Sequence, residues 1–170
     1  AVWIAIVSFE SPQGFIFTIG IVSYLLKDKI KPFFDRFSPR MAFIFAGVFF
    51  GLLTEIFAIL SNLNIPSGER ALLHPDPLAD FIIGLVWYSL FIAVWYLLVR
   101  KISFSKGAVF VVSGLFGIAT EQGGAVILGI IANPLLGSLM AILVACVYGI
   151  FPTLAYMLTE NRFPERATPK

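Results

Sequence analysis

The chain has 170 residues, of which 59% are hydrophobic and 13% are charged, and its formal net charge is +2. A soluble domain carries about 25% charged residues, so the composition argues against an ordinary soluble protein and predicts an all-α integral membrane protein. No basic patch with interleaved aromatic residues lies outside the apolar segments, so we expect the lipid bilayer, and no nucleic acid, as a partner. We expect a single transmembrane domain over residues 1–170.

Five apolar segments are predicted to be transmembrane helices, and each except the first is about as long as a bilayer requires. They cover residues 12–26, 41–63, 78–99, 107–132 and 134–158, and the first continues to about residue 31. Residues 1–9 are also apolar, and two interpretations of them are open. They form the outer end of a sixth helix of the intact chain, or they form an interfacial segment or an extension of the first span.

The basic residues are strongly sorted along the chain. Eleven of the 12 lysines and arginines fall in the segments 27–40 and 100–106 and in the tail after residue 158, and the twelfth is Arg70. Cytoplasmic loops of membrane proteins carry an excess of basic residues. We therefore expect a cytoplasmic C-terminus and place the loop 64–77 outside.

Two predicted returning helices carry a matching local sequence. Residues 50–55 read FGLLTE and residues 116–121 read FGIATE, and each glutamate lies fifteen residues after a basic residue, Arg40 or Lys106. Three helix starts also match, because a capping residue precedes proline at Ser11-Pro12, Asp76-Pro77 and Asn133-Pro134. These matches predict helical-hairpin repeats over 11–63 and 76–132, with a partial third copy over 133–158.

Glu55 and Glu121 are each the one charged residue of an apolar segment. Fifteen helical residues span about 22 Å, which places both carboxyls inside a hydrocarbon core about 30 Å thick. An ionisable group at that depth costs at least about 2.5 kcal/mol and is a functional-site hypothesis. Because the repeats run parallel, the glutamates are predicted to lie at one depth and to form one ion- or substrate-binding site. Its predicted members are Glu55, Glu121, Thr54, Thr120 and Gln122.

Small residues precede both glutamates at four-residue spacing and so share their helix faces. Gly47 and Gly51 precede Glu55, and Ser113 and Gly117 precede Glu121. Such spacing lets helix backbones approach closely in lipid, so these four residues are predicted to pack against neighbouring helices. The alternative to an ion-binding role is that each glutamate is protonated and bonds a neighbouring helix, for example through Tyr88 or Tyr148.

These patterns favour a small membrane transporter or channel for a cation, a proton or a small solute. One alternative is a non-catalytic subunit of a larger membrane complex. The other is a membrane-embedded enzyme that acts on a lipid or isoprenoid with a glutamate as general acid. No nucleophile, phosphate-loop or metalloprotease motif is present, so we name no catalytic residue and disfavour an enzyme. Partners in the membrane are a second copy of the chain or a larger complex.

Neither a cofactor nor a metal is predicted. His74 is the single histidine and lies in a polar loop, so the spans offer no histidine to ligate a haem. Cys146 is the single cysteine, which excludes an intrachain disulfide and a cysteine-based zinc site. His74, Asp76 and Asp80 match no strong metal motif, so a helix cap in a solvated loop is the favoured interpretation.

Overall fold

The computed structural model describes residues 12–70 and 72–163, except for the side chains of residues 12–14 and 122. Within these residues the helices are α1 Pro12–Leu25, α2 Lys27–Phe34, α3 Pro39–Asn62, α4 Pro77–Lys101, α5 Lys106–Thr120, α6 Ala125–Ala132 and α7 Pro134–Thr159. Short 3-10 turns lie at Ser67–Glu69, Glu121–Gly124 and Glu160–Arg162, and the described residues contain no strand. The prediction of an all-α chain is confirmed. Ser11 and the apolar segment 1–9 lie outside the described residues.

Three helices, α3, α4 and α7, are long and apolar enough to cross a membrane. Helices α5 and α6 together also reach that length, but they are bent by 82° relative to each other. Helix α1 has 14 residues and falls short, so the described chain offers three spanning helices, or four with the bent pair. Large apolar side chains stay exposed along these helices, as expected for helices in lipid, which indicates a membrane protein.

Side-chain caps explain where the helices begin. The side chains of Ser38, Asp76, Ser105 and Asn133 each accept a hydrogen bond from the backbone N–H three residues further on. Such a cap satisfies one of the N–H groups that a helix start leaves without a partner. Proline occupies the first helical position after three of these caps, where its missing N–H does no harm. The predicted starts at Asp76-Pro77 and Asn133-Pro134 are both observed.

The fourth predicted span, 107–132, is broken. Gly123 and Gly124 have φ angles of 66° and 90°, in the left-handed region that residues with a side chain rarely adopt. The α-helix therefore ends at Thr120 and resumes at Ala125 in a new direction. The two adjacent glycines redirect the backbone, while apolar composition continues across the break.

The buried core lies between the middle of the spanning helices and the end that carries the basic segments. Its largest fully buried apolar side chains include Phe43 on α3, Ile92 and Val99 on α4, and Phe151 and Leu158 on α7. Toward the opposite end these helices bury fewer apolar side chains. Both glutamates therefore lie at the margin of the packed core.

Polar contacts gather the basic segments at one end of the bundle, called here the basic end. Arg162 donates to the backbone carbonyl of Phe34 at 3.0 Å and to that of Phe37. Lys106 forms an ion pair with Glu160 at 2.6 Å. The segments 34–37, 104–106 and 160–162 thus share the basic end.

Candidate functional site

Glu55 is buried between α3 and α4, with 8% of its surface exposed. The Tyr88 hydroxyl donates to Glu55 Oε2 at 3.0 Å. Two glycines allow this approach. A Cβ on Gly51 would lie 2.6 Å from the Tyr88 ring, and one on Gly84 would lie 2.8 Å from Glu55 Cγ. A methyl group at either position would push the two helices apart.

Glu121 makes the corresponding contact between α5 and α7. The Tyr148 hydroxyl donates to Glu121 Oε2 at 2.6 Å, and a Cβ on Gly117 would collide with the Tyr148 ring. Glu121 lies just beyond the last residue of α5 and starts the turn that contains the two left-handed glycines. It is only half-buried, so this carboxyl meets more solvent or lipid than Glu55 does.

An aromatic cluster joins the two glutamate–tyrosine pairs. Tyr88 packs edge-on against Phe151 at 5.2 Å, and Phe91 packs edge-on against Tyr148 at 6.2 Å. The two phenylalanines contact each other at 5.5 Å between ring centroids. The two contacts are reciprocal: Tyr88 contacts Phe151, three residues after Tyr148, and Tyr148 contacts Phe91, three residues after Tyr88. Edge-to-face geometry is the arrangement that aromatic quadrupoles favour.

In the structure each of the two predicted site carboxyls has its own tyrosine donor. The hydrogen bond to a neighbouring tyrosine, raised from the sequence as the alternative for each glutamate, is observed at both.

The other predicted binding residues lie beside the glutamates without donating to them. The Thr54 hydroxyl donates to the Phe50 carbonyl at 3.1 Å, and the Thr120 hydroxyl donates to the Phe116 carbonyl at 2.9 Å. Both bonds stay within the residue's own helix. Thr54 is buried, whereas Thr120 is exposed. The side chain of Gln122 lies outside the described part of the chain.

The remaining predicted packing residues also lie at helix contacts. A Cβ on Gly47 would collide with Ile92 of α4. Ser113 is fully buried on α5, and its hydroxyl has no hydrogen-bond partner among the described residues. Further along α5, a Cβ on Gly114 would lie 2.8 Å from the Ala145 carbonyl of α7. Small residues therefore mark where α3 meets α4 and where α5 meets α7.

The sequence interpretation missed one acidic residue of this site. The sequence groups Asp80 with His74 and Asp76 at the solvated start of the third predicted span, but in the structure it lies in the first turn of α4 and is fully buried. It shares the face of α4 that meets Glu55, because Gly84, one turn further on, packs on the Glu55 side chain. The signal was present in the spacing, because Asp80, Gly84 and Tyr88 recur every four residues and so share one helix face.

The chemistry available here is that of carboxyls with hydroxyl donors and no neighbouring cation of the protein. No lysine or arginine occurs in residues 41–69, 71–99 or 107–161. A carboxyl in such surroundings either holds a proton or binds a cation, because an unpaired buried negative charge is costly. A small crevice lies beside Thr54, and it is lined by Ile16, Ile19, Phe50, Leu53, Thr54, Ile150 and Phe151. Neither glutamate is part of that lining.

Comparison of the chain with protein-family models, with curated proteins and with solved structures finds no match. Its function is therefore argued from the residues and their geometry.

Proposed function

We propose that this chain is a small multi-pass membrane transporter or channel that moves a proton or another small cation by way of Glu55 and Glu121. The observation that carries the proposal is Glu55, a carboxyl buried between two apolar helices with a tyrosine as its hydrogen-bond donor. Burial of an ionisable group in a membrane helix is costly, and such residues commonly serve ion or proton pathways.

The arrangement of the second carboxyl supports the same proposal. Glu121 has the same kind of donor, and its tyrosine packs into the same aromatic cluster as Tyr88, which supports a role for both carboxyls in one site. The unwound turn Glu121–Gly124 adds backbone groups that no longer belong to a continuous helix. Irregular backbone at membrane depth is tolerated where it is buried in protein or lines a water-filled cavity.

We propose the architecture that the sequence predicts, with five spans, or six in the intact chain, built from parallel hairpin repeats. In this arrangement the basic end faces the cytoplasm and the loop 64–77 faces outside. The common location of segments 34–37, 104–106 and 160–162 at one end supports it. Labelling of single cysteines at Lys101 and Arg70 from each side of sealed vesicles tests it. Labelling of both from the same side contradicts it.

Ion flux into reconstituted vesicles tests the transport proposal. Purified protein is placed in lipid vesicles that contain a pH-sensitive dye, and a potassium gradient with valinomycin drives proton entry. We expect wild-type flux to be lost in Glu55→Gln and in Glu121→Gln, while the protein still folds, because glutamine keeps the size of a protonated glutamate. Glu69→Gln, which removes the same charge from an exposed loop position, serves as the control. Sodium and potassium gradients in matching vesicles identify a cation other than the proton.

A non-catalytic subunit of a larger membrane complex is the second candidate. The hydrogen bonds from Tyr88 and Tyr148 favour it, because polar contacts of this kind also hold membrane helices together without transport. Native purification in mild detergent separates the two proposals. Stoichiometric partner chains, together with flux that is absent or unchanged in both glutamine variants, would establish the subunit role.

A further inference from the structure

Asp80 carries a buried oxygen without a hydrogen-bond donor. The residue has 0% of its surface exposed, and its Oδ1 accepts the backbone N–H of His74 at 2.8 Å. Its Oδ2 is buried and has no hydrogen-bond partner among the described residues. A buried acceptor left without a donor costs free energy, so this atom calls for an explanation.

The Asp80 side chain is buried on the face of α4 that meets Glu55 of α3. Gly84 creates the room, since it stands one turn beyond Asp80 and faces the Glu55 side chain. Tyr88, one further turn along α4, supplies a hydrogen bond to Glu55 Oε2. One face of α4 thus presents a carboxyl, a gap and a hydroxyl to a single glutamate of α3.

Two ionised carboxylates side by side in this buried place would repel each other strongly. In addition, both would accept hydrogen bonds and neither would donate one. Arg70 does not neutralise them in the structure, since its guanidinium donates to the backbone carbonyls of Leu63, Ile65 and Pro75. A proton on one carboxyl removes the repulsion and also supplies the donor that Asp80 Oδ2 lacks.

The surroundings decide which carboxyl carries the proton. Asp80 lies in the first turn of α4, where the helix dipole favours negative charge, and it receives the His74 N–H. Glu55 lies outside the first and last turns of α3, and its one described donor is a neutral phenol. These features place the proton on Glu55.

We propose that Glu55 and Asp80 form a site that holds one proton, with the Glu55 carboxylic acid donating to Asp80 Oδ2, and that Asp80 passes this proton between Glu55 and the exposed 63–76 loop. The proton-holding pair stands by itself, whereas the passing role rests on the proposed transport function. In that step the O–H bond of Glu55 breaks as one forms on Asp80. Asp80 then releases its proton to water at the exposed residues 73–76 as Glu55 takes up a replacement proton delivered by way of Glu121, so the pair holds one proton before and after the step. The negative charge moves in the opposite direction, from Asp80 to Glu55.

Infrared spectroscopy of the full chain in lipid vesicles tests the pair, because protonated and ionised carboxyls absorb in separate regions. At neutral pH we expect a protonated-carboxyl band that is lost in Glu55→Gln and shifted in frequency in Asp80→Asn. Both substitutions keep a hydrogen-bonding oxygen, for Tyr88 and for the His74 N–H respectively. Glu69→Gln should leave the band unchanged.

Two infrared results would overturn the proposed pair. Persistence of an unshifted band in both Glu55→Gln and Asp80→Asn overturns the pair, because the proton then resides elsewhere. Absence of the band in wild type, together with carboxylate bands that move on addition of sodium or calcium chloride, overturns the proton in favour of a bound cation. If Asp80→Asn fails to fold, loss of the band in Glu55→Gln, with a frequency shift of the wild-type band in Asp80→Glu, carries the test.

Proton flux in the same vesicles distinguishes failure of the passing role from failure of the transport function. Loss of flux in Asp80→Asn supports the passing role. A shifted band with wild-type flux in Asp80→Asn keeps the pair and overturns the passing role. A wild-type band with no proton flux in any preparation keeps the pair and overturns both transport of protons and the passing role.

Discussion

The Glu55 and Glu121 regions share one contact but differ in what surrounds it. Each glutamate accepts a hydrogen bond from a tyrosine of a neighbouring helix, and the ring of that tyrosine packs on the glycine four residues before the glutamate. Glu55 lies inside a continuous helix and is buried, whereas Glu121 lies at a helix break and is half-buried. A shared sequence motif therefore produces the same local contact in two different environments.

The partner helices explain part of the difference. One turn and two turns before Tyr88, helix α4 has Gly84 and Asp80, which leave space and add a carboxyl. At the same spacing before Tyr148, helix α7 has Val144 and Met140, which are apolar. Only the first region therefore combines a glutamate with a second acid. The comparison teaches that the residues facing a repeated motif, more than the motif itself, determine its chemistry.

The largest effect is expected from filling the glycines that allow these contacts. Gly51→Leu should destabilise the protein by about 3 kcal/mol, because the side chain would overlap the Tyr88 ring. Gly117→Leu should cost somewhat less, because Tyr148 is only partly buried and has room to move. Thermal midpoints in detergent measure both. Gly68→Leu is the control, since nothing lies within 4 Å of a Cβ there, and equal midpoints for all three variants would contradict the packing argument.

Removal of the Glu55 carboxyl should lower the free energy of unfolding by about twice as much as removal of the Glu121 carboxyl. Glu55→Ala leaves the buried Tyr88 hydroxyl without its acceptor, at a cost of about 2 kcal/mol. Glu121→Ala exposes the Tyr148 hydroxyl in a half-buried place and should cost about 1 kcal/mol. Reversible unfolding in mixed micelles provides the values. Equal costs would mean that burial does not distinguish the two sites.

Removal of the tyrosine hydroxyls tests the shared contact itself. Tyr88→Phe and Tyr148→Phe should each cost about 0.6–1.7 kcal/mol, the range measured for side-chain hydrogen bonds between membrane helices. The loss should be greater for Tyr88, because its partner carboxyl is the more buried one. Unfolding in the same micelles measures both. Tyr24→Phe is a suitable control because Tyr24 is an exposed tyrosine, and a larger loss there would undermine the comparison.

The smallest effect is expected at the threonines. Thr54→Val and Thr120→Val should each change stability by less than about 0.5 kcal/mol, because each hydroxyl bonds only a carbonyl of its own helix. Combined with flux measurements, these variants show whether a hydroxyl takes part in ion binding. Normal stability with lost flux in Thr54→Val alone would identify the buried threonine as a ligand and sharpen the contrast between the regions.

The sequence predicted the spanning helices α3, α4 and α7 well, because long apolar segments and cap–proline pairs depend on local composition. It also raised the tyrosine contacts of both glutamates as an alternative. Two adjacent glycines after Glu121 indicate a weak point in the fourth span, but the 82° angle between α5 and α6 comes from the structure, since hydropathy does not record backbone direction. It placed Asp80 in solvent, because its burial depends on how α4 packs against α3. The repeat, the common ion site and the membrane orientation stay predictions.

The break after Thr120 also affects the lipid beside the protein. Helix α5 has 15 residues and is about 22 Å long, whereas α3 has 24 residues and is about 36 Å long. Because α6 leaves at 82°, its 8 residues add little height on that flank. The apolar flank at α5 is thus about 8 Å shorter than a hydrocarbon core about 30 Å thick. This hydrophobic mismatch favours local thinning of the bilayer, so lipids with short acyl chains should collect beside α5.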